Sequence, residues 1–369
     1  MNSIVLNCPL YWYEGKDSNL KERPCCFSCR FFNHKIIIPA PKCCSSCQIA
    51  WYCSAECQDG HFGFHRYFCK HIVEKKELVR IGAVALRNAP NPSGGTINPF
   101  ETLVGFFDEG ESTRAYLESL FNLANSYWLA AYESEIKEVW EKALFCYSEI
   151  LRLNIAHQCD VRFRVPLILL YLNRDDDAYS FIRYWINFEE QDDTELFSRH
   201  ERSREGDWVF PLEPNCRFLD IFEECSTLNE QKYTMPFLVA MVIIKLRIIA
   251  SHEAISQTLD FVFQKTSAQK IQEVRPILHH MLAGCDLTTQ RQQLRRLLDK
   301  IQVDDSQIDD SSVFDFFRRC EHISENRNTR GISYILFDPL PFPRYLILEN
   351  SLRCFFRVPG ALDILGLRG

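Results

Sequence analysis

Between Cys26 and Cys69 the chain carries four spaced pairs of metal-ligating residues: Cys26-x2-Cys29, Cys44-x2-Cys47, Cys53-x3-Cys57 and His65-x3-Cys69. No other feature constrains the fold as strongly. A segment this short cannot bury enough apolar surface to hold itself together, whereas a pair two or three residues apart lets a tight turn or one helical turn present both side chains to one ion. Structural zinc takes four nitrogen or sulfur ligands in a tetrahedron, so these eight residues imply two closed sites. A closed site leaves no position for water or substrate, and the expected role of two Zn2+ ions is to stabilise the fold.

Cysteine usage supports metal over disulfides. Nine of the seventeen cysteines lie between Cys25 and Cys69, and the other eight are scattered from Cys8 to Cys354 without close spacing. Residues 1–12 lack the basic start of a secretory signal, so an intracellular location, cytoplasm or nucleus, is expected. Cys25 and Cys43 sit beside ligands and could replace Cys26 or Cys44, but only with a three-residue gap to Cys29 or Cys47; the two-residue turns are preferred. His61 and His34 have no free partner at ligand spacing and read as exposed or packing residues. A thioredoxin-type use of the Cys-x2-Cys pairs would need a β–α turn that the sequence does not show.

The order and spacing resemble the MYND finger over residues 26 to 69, with Tyr52 before Cys53, Ser54 after it and Gln58 after Cys57. The resemblance implies that ligand pairs alternate between two zincs, Cys26, Cys29, Cys53 and Cys57 on one and Cys44, Cys47, His65 and Cys69 on the other. It also implies a protein partner, since MYND fingers with known ligands hold proline-rich peptides using the glutamine after the sixth ligand and a nearby tryptophan. Those positions are Gln58 and Phe62 here, and the phenylalanine departs from the family's tryptophan. Two roles are open for Phe62: an apolar platform for a peptide, or packing, with Phe64, of the finger against the rest of the chain. The segment Val161 to Trp185, with Val165-Pro166, Leu169-Leu170, Arg174-Asp175 and Phe181-Ile182, is similar to part of a group of fungal MYND proteins that has no activity to transfer.

Beyond the finger the pattern is helical, and the expected fold class is mainly α: a two-zinc finger followed by a helical body, with a TPR-like array and generic helix packing both open. The organisation read from the sequence is an extension at 1–24, the finger at 25–70, a helix and linker at 71–99, the body at 100–302 and a C-terminal region at 303–369. The linker rests on Ala89 to Pro99, with three prolines and two glycines. Apolar residues at three- and four-residue steps predict an antiparallel helix pair through Leu120–Ala131 and Ile136–Ile150. Ala143, Tyr147 and Ile150 recur as Ala178, Ile182 and Trp185 at 35 residues, near the 34 of tetratricopeptide arrays. Further helices are expected at Met235–Ala250, Ser267–Leu282 and Thr289–Ile301, with a loop over Asp304–Asp310 and an extended segment at Pro339-Leu340-Pro341-Phe342-Pro343.

Catalysis is not expected. Asn-His-Ser-Cys and Gly-Glu-Glu segments of the SET-domain lysine methyltransferases that also carry MYND fingers are missing, His200-Glu201 and His252-Glu253 lack the second histidine of a zinc protease helix, and no phosphate-binding glycine loop occurs. The acidic run Asp175 to Asp177 reads as a solvated turn and His279-His280 as helix packing. A transcription-associated regulator is the other alternative. Direct nucleic-acid binding is not expected: from Cys26 to Lys70 five Lys and Arg face two Asp and Glu, and seven thiolates with two Zn2+ bring the module near neutrality, removing the counterion-release contribution. The apolar stretch Met235–Ala250, interrupted by Lys245 and Arg247, falls short of the roughly 20 residues that span a bilayer, and no membrane association is expected.

Overall fold

The computed structural model describes residues 20–32, 38–90, 95–155, 161–188, 193–225, 235–265, 287–306 and part of 351–366. The fold is mainly α. The elements are α1 (Phe27–Phe32), β1 (Lys42–Cys43), β2 (Trp51–Tyr52), α2 (Ala55–Arg87), β3 (Ala89–Pro90), β4 (Thr96–Ile97), α3 (Pro99–Thr102), α4 (Glu111–Ser134), α5 (Lys137–Leu153), α6 (Val161–Tyr171), α7 (Asp175–Ile186), α8 (Asp193–Glu201), α9 (Ile221–Glu224), α10 (Met235–Lys265), α11 (Leu287–Ser306) and α12 (Ala361–Ile364). They fall into two compact units. One holds the finger, α2 to α6 and α8; the other holds α7 and α9 to α12.

In the first unit α4 and α5 are joined by Glu135 and Ile136 alone, so they must run antiparallel. Glu135 ends α4 in the left-handed region at φ 56°, donating its N–H to the Ala131 carbonyl. The chain near the N-terminus clamps this turn, Lys21 N–H donating to the Glu135 carbonyl at 2.8 Å and Lys137 N–H to the Lys21 carbonyl at 3.0 Å. The seam between the helices is aromatic. Trp128 meets Trp140 edge to face at 5.3 Å, and Trp140 stacks on Tyr171 of α6 at 4.2 Å. Ala143, Tyr147 and Ile150 are all fully buried, as their helical spacing predicts.

The segment around α8 returns to α5 through buried polar contacts. Arg152 pairs with Glu149 out of solvent and donates to Ser203 Oγ at 3.1 Å, while Gly206 N–H reaches Glu149 Oε2 at 3.2 Å. His200 Nδ1 lies 2.8 Å from the Arg152 carbonyl, and burial pushes this histidine's pKa down.

Several sequence-based boundaries move. The helix expected to leave the finger at 71–88 begins at Ala55 and is continuous to Arg87, capped by Ser54 whose hydroxyl accepts from Cys57 N–H at 3.2 Å. Within the stretch read as a linker at 89–99, β3 and β4 pair antiparallel, Ala89 with Ile97; α2 before it packs on α4 after it, and both lie in the same compact unit. Of the region 100–302, residues 100–172 and 191–209 lie in the first compact unit and 173–190 and 210–302 in the second.

In the second unit α10 runs from Met235 to Lys265, well past Ala250. Its Met235–Ala254 stretch reaches the length and apolar character of a membrane span, correcting the shorter reading, and 83% of it is buried inside the protein. Lys245, fully buried in that stretch, donates to the carbonyls of Arg217 and Leu219 at 2.7 and 2.8 Å and to Gln290 Oε1. Asp175 to Asp177, read as a solvated turn, instead form the first turn of α7, where the helix dipole favours carboxylates. Asp175 accepts from Arg247 at 2.6 Å, Asp176 pairs with Arg217 and Asp177 with Arg174. Helix α11 also takes in Asp304 to Ser306, part of the expected acidic loop. The expected helix at 267–282 with His279-His280, the proline segment at 339–343, and His34 lie outside the described residues.

Candidate metal centre

Short backbone ladders set each ligand pair. Cys26 N–H donates to the Ile38 carbonyl at 2.9 Å as α1 begins, which directs Cys26 and Cys29 to one side of the turn. The hairpin β1–β2 aligns Cys43 with Trp51, and Cys44 N–H donates to the Ala50 carbonyl at 2.8 Å. The turn inside it closes through Gln48 in the left-handed region at φ 60°, N–H donating to the Cys44 carbonyl at 3.0 Å. Cys53 follows β2 directly. Cys57, His65 and Cys69 all come from α2, with His65 and Cys69 about one helical turn apart.

These residues form two clusters, Cys26, Cys29, Cys53 and Cys57 in one and Cys44, Cys47, His65 and Cys69 in the other, with all ligand atoms of a cluster within 4.8 Å of one another. A tetrahedron of sulfurs about 2.3 Å from zinc has edges of about 3.8 Å. The observed separations match: Cys29 to Cys53 3.8 Å, Cys29 to Cys57 3.7 Å, Cys53 to Cys57 3.5 Å, Cys44 to Cys69 3.8 Å and Cys47 Sγ to His65 Nε2 3.4 Å. The alternating assignment implied by the family pattern is the one the fold makes. Cys25 and Cys43 stand outside both clusters; Cys25 is buried in a backbone bridge to Pro39, and Cys43 is exposed.

Electrostatics within the clusters call for a cation. Burial opposes ionisation of Cys26, but hydrogen bonds from the backbone and thiols of Cys29 and Cys53 outweigh it and bring its pKa down to about 7. Cys29 is pushed up to about 12, by burial first and then by the neighbouring thiols. Burial drives Cys47 upward too, followed by the charges of Cys44 and Cys69. Four thiols this close cannot all ionise unless a metal supplies the balancing charge. Burial, with His61 beside it, brings His65 down to about 4, leaving the neutral imidazole that zinc binds.

His61 is buried and forms part of the support. Its Nδ1 lies 3.1 Å from the hydroxyl of the fully buried Tyr52, and its ring stacks on His65 at 6.1 Å between centroids. Lys142, from α5, could not have been linked to the site by reading the sequence. Its Nζ donates to the Gln48 carbonyl at 2.6 Å and lies 5.6 Å from the Trp51 ring centroid, docking the zinc hairpin on the helices.

Residues 26–69 match the MYND finger family. No curated protein and no solved structure matches the chain. Family match and cluster geometry agree that residues 26–69 are a MYND-type zinc finger whose ligands fit two zinc ions. MYND domains generally mediate protein interactions, which makes a protein the expected kind of partner.

The two residues that the resemblance implies for peptide contact, Gln58 and Phe62, stand on α2 about one turn apart. Gln58 is half-buried, and Phe62 is 58% exposed, as is Phe64. Phe64 also stacks on His61, with 6.2 Å between ring centroids.

Proposed function

We propose that this chain is a non-catalytic adaptor or scaffold whose finger holds a proline-rich peptide of a protein partner. The observation that carries the reading is the exposed Phe62 ring standing one helical turn from the half-buried amide of Gln58. An extended proline-rich peptide loses little chain entropy on binding, which suits a shallow surface with one apolar platform and one amide. Phenylalanine supplies the platform without an indole donor, so affinity below that of a tryptophan-bearing finger is expected. The helical units act in this reading as TPR-like scaffold, in line with the resemblance to fungal MYND proteins. Both zinc sites use their full ligand sets, which supports a structural metal over methyl transfer or hydrolysis. An intracellular setting follows from the need for reduced thiolates, and neither nucleic acid nor membrane enters the proposal.

The test is a titration of proline-rich peptides against the zinc-loaded full chain, its Gln58→Ala variant and its Phe62→Ala variant. Because Phe62 is exposed, its truncation should leave the fold intact. Binding that falls in both variants supports the proposal. Absence of binding at about millimolar peptide, weaker than any useful docking affinity, ends it.

A further inference from the structure

Helix α2 buries only one side. His61, His65, Ile72, Ala83 and Leu86 face inward, and the opposite side carries Phe64, Tyr67, His71, Glu74, Leu78, Ile81 and Ala85. That second series steps by three and four residues throughout, the seam spacing of a coiled coil, over about 30 Å of helix. Its large apolar members are exposed: Phe64 58%, Tyr67 56%, Leu78 50% and Ile81 51%.

We propose that this stripe is a homodimerisation surface on which α2 of a second copy packs antiparallel. The charge pattern selects both the occupant and the direction. In a parallel pair Glu74 would meet Glu74 in the seam and Lys70 would flank Lys75. With a two-fold axis between His71 and Glu74, the Glu74 carboxylates separate and each Lys70 gains a carboxylate opposite it. Tyr67 lies against the second copy's Leu78, Phe64 against its Ile81, His71 against its Glu74 and Lys70 against its Glu77, each pair occurring twice.

The existing partners of these charges do not prevent the pairing. Lys70 meets Glu74 at 3.7 Å and Arg80 meets Glu77 at 2.6 Å, both exposed pairs of the kind that contribute little. Since α2 is already one continuous helix packed on α4, docking costs little ordering of the backbone. The dimer would carry its fingers at opposite ends of the seam, and the inference stands whether or not those fingers bind proline-rich peptides.

Sedimentation of the zinc-loaded full chain across a concentration series tests it. A reversible dimer with micromolar dissociation is expected, and Leu78→Glu should give a monomer that keeps both zincs and its helicity. Glu77→Lys should weaken the dimer by about tenfold by facing Lys70 of the second copy, and the swap Lys70→Glu with Glu77→Lys should recover it. A wild-type chain that stays monomeric to about 100 µM, above the range of specific interfaces, overturns the proposal. So does a dimer that survives Leu78→Glu, a swap as damaging as the single reversal, or a stripe occupied by a different protein in place of a second copy.

Discussion

The finger and the α4–α5 pair belong to one compact unit, yet different forces hold them. In α4 and α5 the interior is side chain against side chain: Trp128, Trp140, Tyr147 and Ile150 are buried and pack without a metal. In the finger most of what converges is ligand, and the buried apolar residues of the hairpin, chiefly Ile49, Ala50, Trp51 and Tyr52, form a thin layer beside the second cluster. One region can rely on the hydrophobic effect; the other depends on ion coordination. Helix α2 spans both regimes, with Cys57, His65 and Cys69 in its first half and Ile72, Ala83 and Leu86 against the helices in its second.

Stripping zinc should break the comparison most completely. Structural zinc contributes on the order of 10 kcal/mol to small modules of this kind, so a chelator should unfold residues 26–69 while most helical circular dichroism remains. Hydrogen exchange sharpens the point: amides of α2 up to Cys69 should lose protection, and those from Ile72 onward should retain it. Uniform loss along α2 would mean that the helix is one cooperative unit dependent on metal.

Single ligand changes come next. Cys44→Ser or His65→Ala should lower bound zinc from two ions to one, measured by elemental analysis, because each residue serves one cluster. Cys25→Ser should leave two ions bound, since Cys25 lies in neither cluster. Loss of zinc from Cys25→Ser would reverse the choice between neighbours.

On the packing-held side, Trp140→Ala removes a fully buried ring stacked on Tyr171 and should cost about 3–5 kcal/mol in denaturant unfolding, with two zincs still bound. A fall in zinc content would show that the finger leans on the helices through Lys142 more than its metal sites suggest.

The smallest effect expected is pH dependence from His200. Its folded pKa is depressed below 6.5 by burial, so the unfolded chain takes up the proton first; the stability is intact above 6.5 and declines as pH falls below it. Measured on zinc-stripped protein, where ligand protonation plays no part in metal release, this decline should be flatter in His200→Gln.

The helical seams were legible because burial repeats with the helix period, and Ala143, Tyr147 and Ile150 lie where that period puts them. The period did not locate element ends. It missed that α2 starts inside the finger, since Gly60 and Gly63 and a run of ligands interrupt the apolar pattern there. It also missed the pairing of Asp175 and Asp176, whose Arg247 and Arg217 partners are distant in sequence. Likewise, Leu78 and Ile81 look like core residues in one dimension and are half exposed in three.

By itself the sequence determined the metal chemistry, because the ligands are local pairs whose residue types and spacing leave zinc little alternative, and it determined the helical class, because helix periodicity is written along the chain. Which pairs share an ion was implied by the family resemblance and made by the fold; tertiary structure alone decided which side of α2 meets α4 and that Lys142 reaches the zinc hairpin. Those depend on how segments far apart in sequence come together, and a long helix with apolar residues on two sides does not announce which side the rest of the chain will cover.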